Sequence, residues 1–114
     1  MPNRFGIPED IELRLRRIFK NCAYCGLRLK GRGSRSDYRK MPTIEHLNRN
    51  GPFHWVDNLK EEHLVIACGE CNSSRGKKLL YAWFESSYCV RKKIHKTSVA
   101  ARVRKYLRTK LSRI

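Results

Sequence analysis

Five cysteines are the first residues in this chain whose spacing could do chemistry. Four of them form two C-x2-C pairs, Cys22-Ala-Tyr-Cys25 and Cys68-Gly-Glu-Cys71, each with a glycine at a turn position, Gly26 and Gly69. Such a pair lets two thiolates reach one tetrahedral ion from a tight knuckle, and two pairs complete a closed four-sulfur zinc site. Two disulfides or buried free thiols are the competing uses of the same residues, and the lack of any secretory context in the first 20 residues argues against disulfides. Cys89, alone after Tyr88, reads as a small buried hydrophobe. A second set of residues lies between the pairs and just beyond them: Glu45 and His46 are adjacent, and Asn72 directly follows the fourth cysteine. Carboxylate and amide oxygens are hard ligands suited to Mg2+ or Mn2+, and a neutral imidazole can deprotonate water. Together they describe one-metal hydrolysis of a phosphodiester. Taken singly, a histidine is commonly structural and an Asn after a knuckle commonly caps a helix, so the reading rests on the combination.

These side chains need a strand that leads into a helix pinned by the metal. Between Cys25 and Cys68 lie 42 residues, where a simple zinc ribbon has about 15–20. The segment is therefore an insertion whose ends one ion would fix, and in so small a domain that binding energy is largely folding energy. Pro8, Glu9 and Asp10 begin a helix expected to run to about Lys20, with Ile11, Leu15, Ile18 and Phe19 at helical spacing. After the first knuckle, residues 29–40 read as a basic, mobile loop. Strands are expected over 43–47 and 63–67, separated by a loop that contains Gly51-Pro52. From Cys68 a helix should start, break near Gly76 and resume through Leu79, Leu80, Trp83 and Phe84, the aromatics packing in the core. A last helix is expected over 98–112, capped by Thr97 or Ser98, with Val99, Val103, Tyr106, Leu107, Leu111 and Ile114 on one face. Its other face would carry Arg102, Arg104, Lys105, Arg108, Lys110 and Arg113.

The 114 residues fit a single α+β domain, 1–114, with a basic helical segment over 86–114. The formal net charge is +16. All ten acidic residues lie at or before Glu85, and the last 29 residues hold ten Lys and Arg. A field of that sign attracts polyanions, and nucleic acid is the commonest. A solvated basic surface is the plainer reading; an anionic membrane fits less well, because the basic segments lack an exposed Trp/Phe face. The longest apolar runs are far short of the roughly 20 residues that span a bilayer, and the cytoplasm is the expected compartment.

From about Asn21 to Lys78 the chain resembles the HNH, or ββα-metal, endonucleases of the four-cysteine type. The resemblance is carried by Cys22-Ala-Tyr-Cys25, by Thr43-Ile-Glu-His-Leu47 with Gly51 beyond it, and by His63-Leu-Val-Ile-Ala-Cys68-Gly-Glu-Cys71-Asn72-Ser-Ser-Arg-Gly-Lys77. It implies a zinc-stabilised nuclease domain, bacterial or phage-encoded, that hydrolyses DNA to 5′-phosphate and 3′-hydroxyl ends. It implies Cys22, Cys25, Cys68 and Cys71 as ligands of a structural zinc, Glu45 and Asn72 as ligands of a catalytic Mg2+ or Mn2+, and His46 as general base. Expected DNA contacts are Arg49, Arg75, Lys77, Lys78, Arg102, Lys105 and Arg108. Two positions depart from the family pattern. Glu45 stands where an Asp is usual, and His63 fills the slot of the middle Asn, whose family role is to tie the loop that carries the catalytic His. His63 is preferred for that role, with Asn58 as the alternative. The rival readings are a catalytically idle zinc module that binds nucleic acid, and an RNase on the same scaffold.

Overall fold

The computed structural model describes residues 3–29 and 38–114; most of the basic loop expected over 29–40 lies outside the described residues. Helix α1, Glu9–Ile18, opens with Glu9, Asp10 and Glu12 in its first turn and ends with Arg16 and Arg17 in its last, charges that oppose the helix dipole at both ends. Leu15 and Phe19 turn into the core as expected, but Ile18 is 51% exposed. The helix stops two residues before Lys20: the Phe19 N–H still bonds the Leu15 carbonyl, but the Phe19 backbone, at φ −103° and ψ 83°, has left the helical region.

Among the described residues the sheet has two antiparallel strands, β1 (Pro42–His46) and β2 (Leu64–Cys68), with Ile44 opposite Ile66 and Glu45 opposite Val65. Every residue of β2 is buried, which suits its unbroken apolar run Leu64-Val-Ile-Ala. Helix α2, Gly69–Arg75, follows without a gap and ends at Gly76, whose φ of 52° halts it. Gly69 is needed for a different reason: a Cβ there would collide with the Tyr38 carbonyl, which closes over the start of α2. Helix α3, Leu80–Phe84, buries Leu80 and Trp83 as expected.

Helix α4, Ser87–Lys92, has no counterpart in the hydrophobic pattern. It is a short helix capped by Ser86, whose hydroxyl accepts from the Cys89 N–H at 3.3 Å, and it buries Cys89 completely. The last helix is shorter than its hydrophobic pattern suggests: α5 spans Ala101–Leu107, followed by a 3-10 turn at Lys110–Arg113. Ser98 does not cap it. Its hydroxyl accepts from the His95 N–H at 2.9 Å and serves a turn instead, while the Ala100 N–H reaches across to the Ala23 carbonyl at 2.8 Å. At the other end the Thr109 hydroxyl donates to the Tyr106 carbonyl at 2.7 Å and the Ser112 hydroxyl to that of Leu107 at 3.1 Å. Local bonds of this kind compete with helix continuation. Val99, Val103, Tyr106 and Leu107 are buried, whereas Leu111 and Ile114 are exposed. No helix among the described residues is long and apolar enough to cross a membrane.

Candidate functional site

The two knuckles meet. The Sγ atoms of Cys22, Cys25, Cys68 and Cys71 lie within 4.8 Å of one another, and Cys25 and Cys68 are 3.8 Å apart. Four sulfurs at about 2.3 Å from a tetrahedral Zn2+ stand roughly 3.75 Å from each other, so the set is positioned to bind one metal ion and is consistent with structural zinc. Local backbone builds the first knuckle: the Gly26 N–H bonds the Cys22 carbonyl at 3.1 Å, and Gly26 itself takes a φ of 77° that side chains disfavour. In the second, the Cys71 N–H points at Cys68 Sγ from the first turn of α2. Hydrogen bonding from Cys25 pulls the Cys22 pKa down, while bonding to Cys22 pushes that of Cys71 up; a cation would take all four as thiolates. Tyr88 closes the site from α4, its hydroxyl 3.2 Å from Cys71 Sγ and also donating to Glu70, which pairs with Lys92.

Beside the metal site, where β1 runs out against α2, lies an open cleft of about 580 Å³. It is lined by Glu45, His46, Asn48 and Asn72, with Phe5 and Phe53 at its sides. The structure thus brings together the three residues expected to carry the chemistry. His46 is buried, and its Nε2 lies 3.0 Å from the Phe53 carbonyl oxygen. A carbonyl only accepts, so Nε2 carries the proton and Nδ1 is the basic nitrogen. The rings of Phe5 and Phe53 stand edge-on to the imidazole at 4.4 and 5.5 Å. Burial lowers the His46 pKa, which favours the neutral ring, an effect only partly opposed by the Phe53 carbonyl.

Glu45, 4% exposed, is held from two sides on one oxygen: Oε2 accepts from the Tyr24 hydroxyl at 2.8 Å and from Arg75 Nη1 at 3.3 Å. Burial pushes its pKa up to about 7, although Arg75 and Tyr24 both favour the charged form. Asn72 spends both amide hydrogens on β1, donating to Thr43 Oγ1 at 2.9 Å and to the Ile44 carbonyl at 3.2 Å. Oxygen is what its amide has left to offer. The donor set left to the cleft, a carboxylate and an amide oxygen, fits a hard divalent cation.

The other expected site residues are placed as follows by their burial and bonds. Arg75, expected as a DNA contact, is 2% exposed, and its nitrogens reach the carbonyls of His46 (2.6 Å), Leu47 (2.8 Å) and Lys78 (2.7 Å) besides Glu45. It clamps the turn that follows His46. The imidazole of His63 does not tie that turn. It packs edge-on to Tyr106 at 5.5 Å, on a separate cleft shared with Arg102 and Lys105, and only its backbone carbonyl takes part, accepting from the Leu47 N–H at 2.8 Å. The pairing of β1 with β2 continues one residue past its last ladder pair and makes this bond possible. Asn58 is exposed, ending a 3-10 turn at a φ of 69°. Arg49 and Lys77 are exposed and line the cleft; Lys78 is exposed, with Nζ on the Ser74 carbonyl. Arg102 donates to the carbonyls of Glu61 and Leu64 at 3.3 and 3.0 Å and lies over the Phe19 ring, while Lys105 and Arg108 are exposed.

Sequence reasoning missed Tyr24, Asn48 and the N-terminal residues Arg4 and Phe5. Asn48 donates to the Pro52 carbonyl at 3.1 Å, next to the carbonyl that holds His46, and its buried Oδ1 has no partner. Arg4 and Phe5 reach the cleft because Asn3 folds the segment back on itself and the Trp55 N–H bonds the Phe5 carbonyl. Nothing in their types signals this. No protein-family model, curated protein or solved structure matches the chain.

Proposed function

We propose that this protein is a metal-dependent DNA endonuclease built on a zinc-stabilised ββα-metal, or HNH, scaffold. One observation carries the reading: His46 lines the cleft that also holds Glu45 and Asn72, its Nε2 is fixed on the Phe53 carbonyl, and burial lowers its pKa. That is the arrangement a general base needs, a set tautomer that leaves Nδ1 to take a proton and an environment that favours the neutral ring. Cys22, Cys25, Cys68 and Cys71 hold a zinc ion and lock the turn into α2 beside the end of β1. Glu45 and Asn72 would hold Mg2+ or Mn2+, which when bound supplies positive charge to the phosphate and its leaving oxygen. The protein's own steps are then limited. Exposed Arg49 and Lys77 steady the DNA backbone at the cleft. His46 Nδ1 takes the proton of a water, the hydroxide forms the new P–O bond, the bond to the 3′ oxygen breaks, and that oxygen takes a proton from solvent water to become the 3′ hydroxyl. Arg75 holds the main chain of the turn at and beyond His46 through two consecutive carbonyls.

The test is zinc-loaded protein with supercoiled plasmid, with Mg2+ or Mn2+ and with no added divalent ion, beside single-stranded RNA under the same conditions. The expected result is plasmid cleavage that requires the added ion and leaves 5′-phosphate ends. Tight plasmid binding without cleavage in any of these ions would return the chain to an idle binding module, and cleavage confined to RNA would make it a ribonuclease.

A further inference from the structure

Of the two donors on Glu45, one belongs to the metal knuckle. Tyr24 sits between Cys22 and Cys25, is 1% exposed, and sends its hydroxyl to Glu45 Oε2 at 2.8 Å. We propose that Tyr24 is the positioning residue for Glu45, coupling the four-cysteine knuckle to the affinity of the cleft for its divalent cation. The inference rests on the nuclease reading above and adds a residue which that reading leaves without a role.

Three features make Tyr24 a directional support. Its ring is held edge-on by Trp83 at 4.8 Å, and Trp83 is fixed in turn by its indole N–H on Ser74 Oγ at 3.0 Å. Its backbone is pinned within the knuckle, the Tyr24 N–H on Cys22 Sγ at 3.4 Å and the preceding Ala23 N–H on the Ile66 carbonyl of β2 at 3.0 Å. Arg75 does not duplicate it: the shortest bonds of that guanidinium go to main-chain carbonyls, and its contact with Glu45 is the longest of the set at 3.3 Å. The hydroxyl is therefore the shorter bond that fixes the rotation of the carboxylate, and a metal ligand whose partner is removed loses orientation. Because the hydroxyl is carried between two sulfur ligands, whatever orders the knuckle also orders Glu45.

The experiment measures Mn2+ binding by the electron paramagnetic resonance of free Mn2+, on zinc-loaded wild type, Tyr24→Phe and Tyr81→Phe. Tyr81→Phe is the control for a tyrosine hydroxyl outside both the knuckle and the cleft, bonded to the Leu107 carbonyl at 3.1 Å. Tyr24→Phe is expected to keep its zinc and fold while Mn2+ affinity falls about 10–100-fold, the usual scale for such partners; Tyr81→Phe should bind Mn2+ as wild type does. A second measurement needs no folded variant: in wild type carrying ζ-13C tyrosine, saturating Mg2+ should move the Tyr24 resonance and leave that of Tyr81 in place. Unchanged Mn2+ affinity in Tyr24→Phe, or a Tyr24 resonance indifferent to Mg2+ that does bind, would overturn this inference alone. A wild-type protein that takes up neither ion would overturn the nuclease reading and this inference with it.

Discussion

Glu45 shows most clearly how a single side chain is balanced here. Burial favours its neutral form, whereas Arg75 at 3.3 Å and Tyr24 at 2.8 Å favour the charged one; burial wins and the pKa rises from 4.5 to about 7. The sign of the consequence follows from linkage. The folded state keeps its proton longer than the unfolded chain does, so the stability this group contributes is fully present below pH 4.5 and is lost as pH rises through about 7. In zinc-loaded protein without other divalent ions, the urea stability of wild type relative to Glu45→Gln should fall between pH 5 and pH 7.5, and Mn2+ should restore part of it at the upper end. A difference that stays flat across that window, measured by urea unfolding, contradicts the burial seen here. Glu45, His46 and Asn72 are legible in the sequence because their donor chemistry is in their residue types. The partners that hold them are not: Tyr24 and Arg75 meet Glu45 from 21 and 30 residues away, and no local pattern records such a meeting.

Elements whose signal is local and strong agree with the structure. Both strands lie within a residue of the expected positions, and α2 starts at the second knuckle and ends at Gly76. The elements that differ are those in which short hydroxyl side chains outbid periodicity. Ser86 caps α4 in a stretch with no clear period, and Thr109 and Ser112 cut α5 short of an apolar face that reads on to Ile114. The shortened helix also redistributes its cations. Arg102 lies against the body of the protein, tying α5 to the start of β2 through the Glu61 and Leu64 carbonyls, whereas Lys105 and Arg108 face solvent. Arg102→Gln should therefore cost about 1–3 kcal/mol of stability. The Lys105→Gln/Arg108→Gln double variant should leave the melting temperature alone and reduce the slope of log K against log salt for DNA by about 0.9 for each phosphate no longer neutralised. Thermal unfolding and a salt series on one duplex check both halves; an unchanged salt slope in the double variant would show those two cations to be merely solvated.

At the scale of the whole molecule, a two-stranded sheet among the described residues is a slight frame for a cleft, and the four sulfurs supply what the sheet lacks. They bring together knuckles separated by 42 residues at the point where β2 turns into α2, so a metal ion held there would make binding and folding one event. Cys71→Ala should accordingly lose its zinc and most of its helical circular dichroism together; a folded Cys71→Ala protein with a full equivalent of zinc contradicts that. The net charge of +16 attracts polyanions in general, and it would serve a binder as well as a nuclease. The central claim is narrower: His46 removes a proton from water. It is tested most directly by the cleavage rate of zinc-loaded His46→Ala on plasmid DNA at saturating Mg2+, with DNA binding measured alongside. The account predicts wild-type zinc content and DNA affinity with cleavage reduced by about 100-fold or more. Undiminished cleavage in His46→Ala would contradict it.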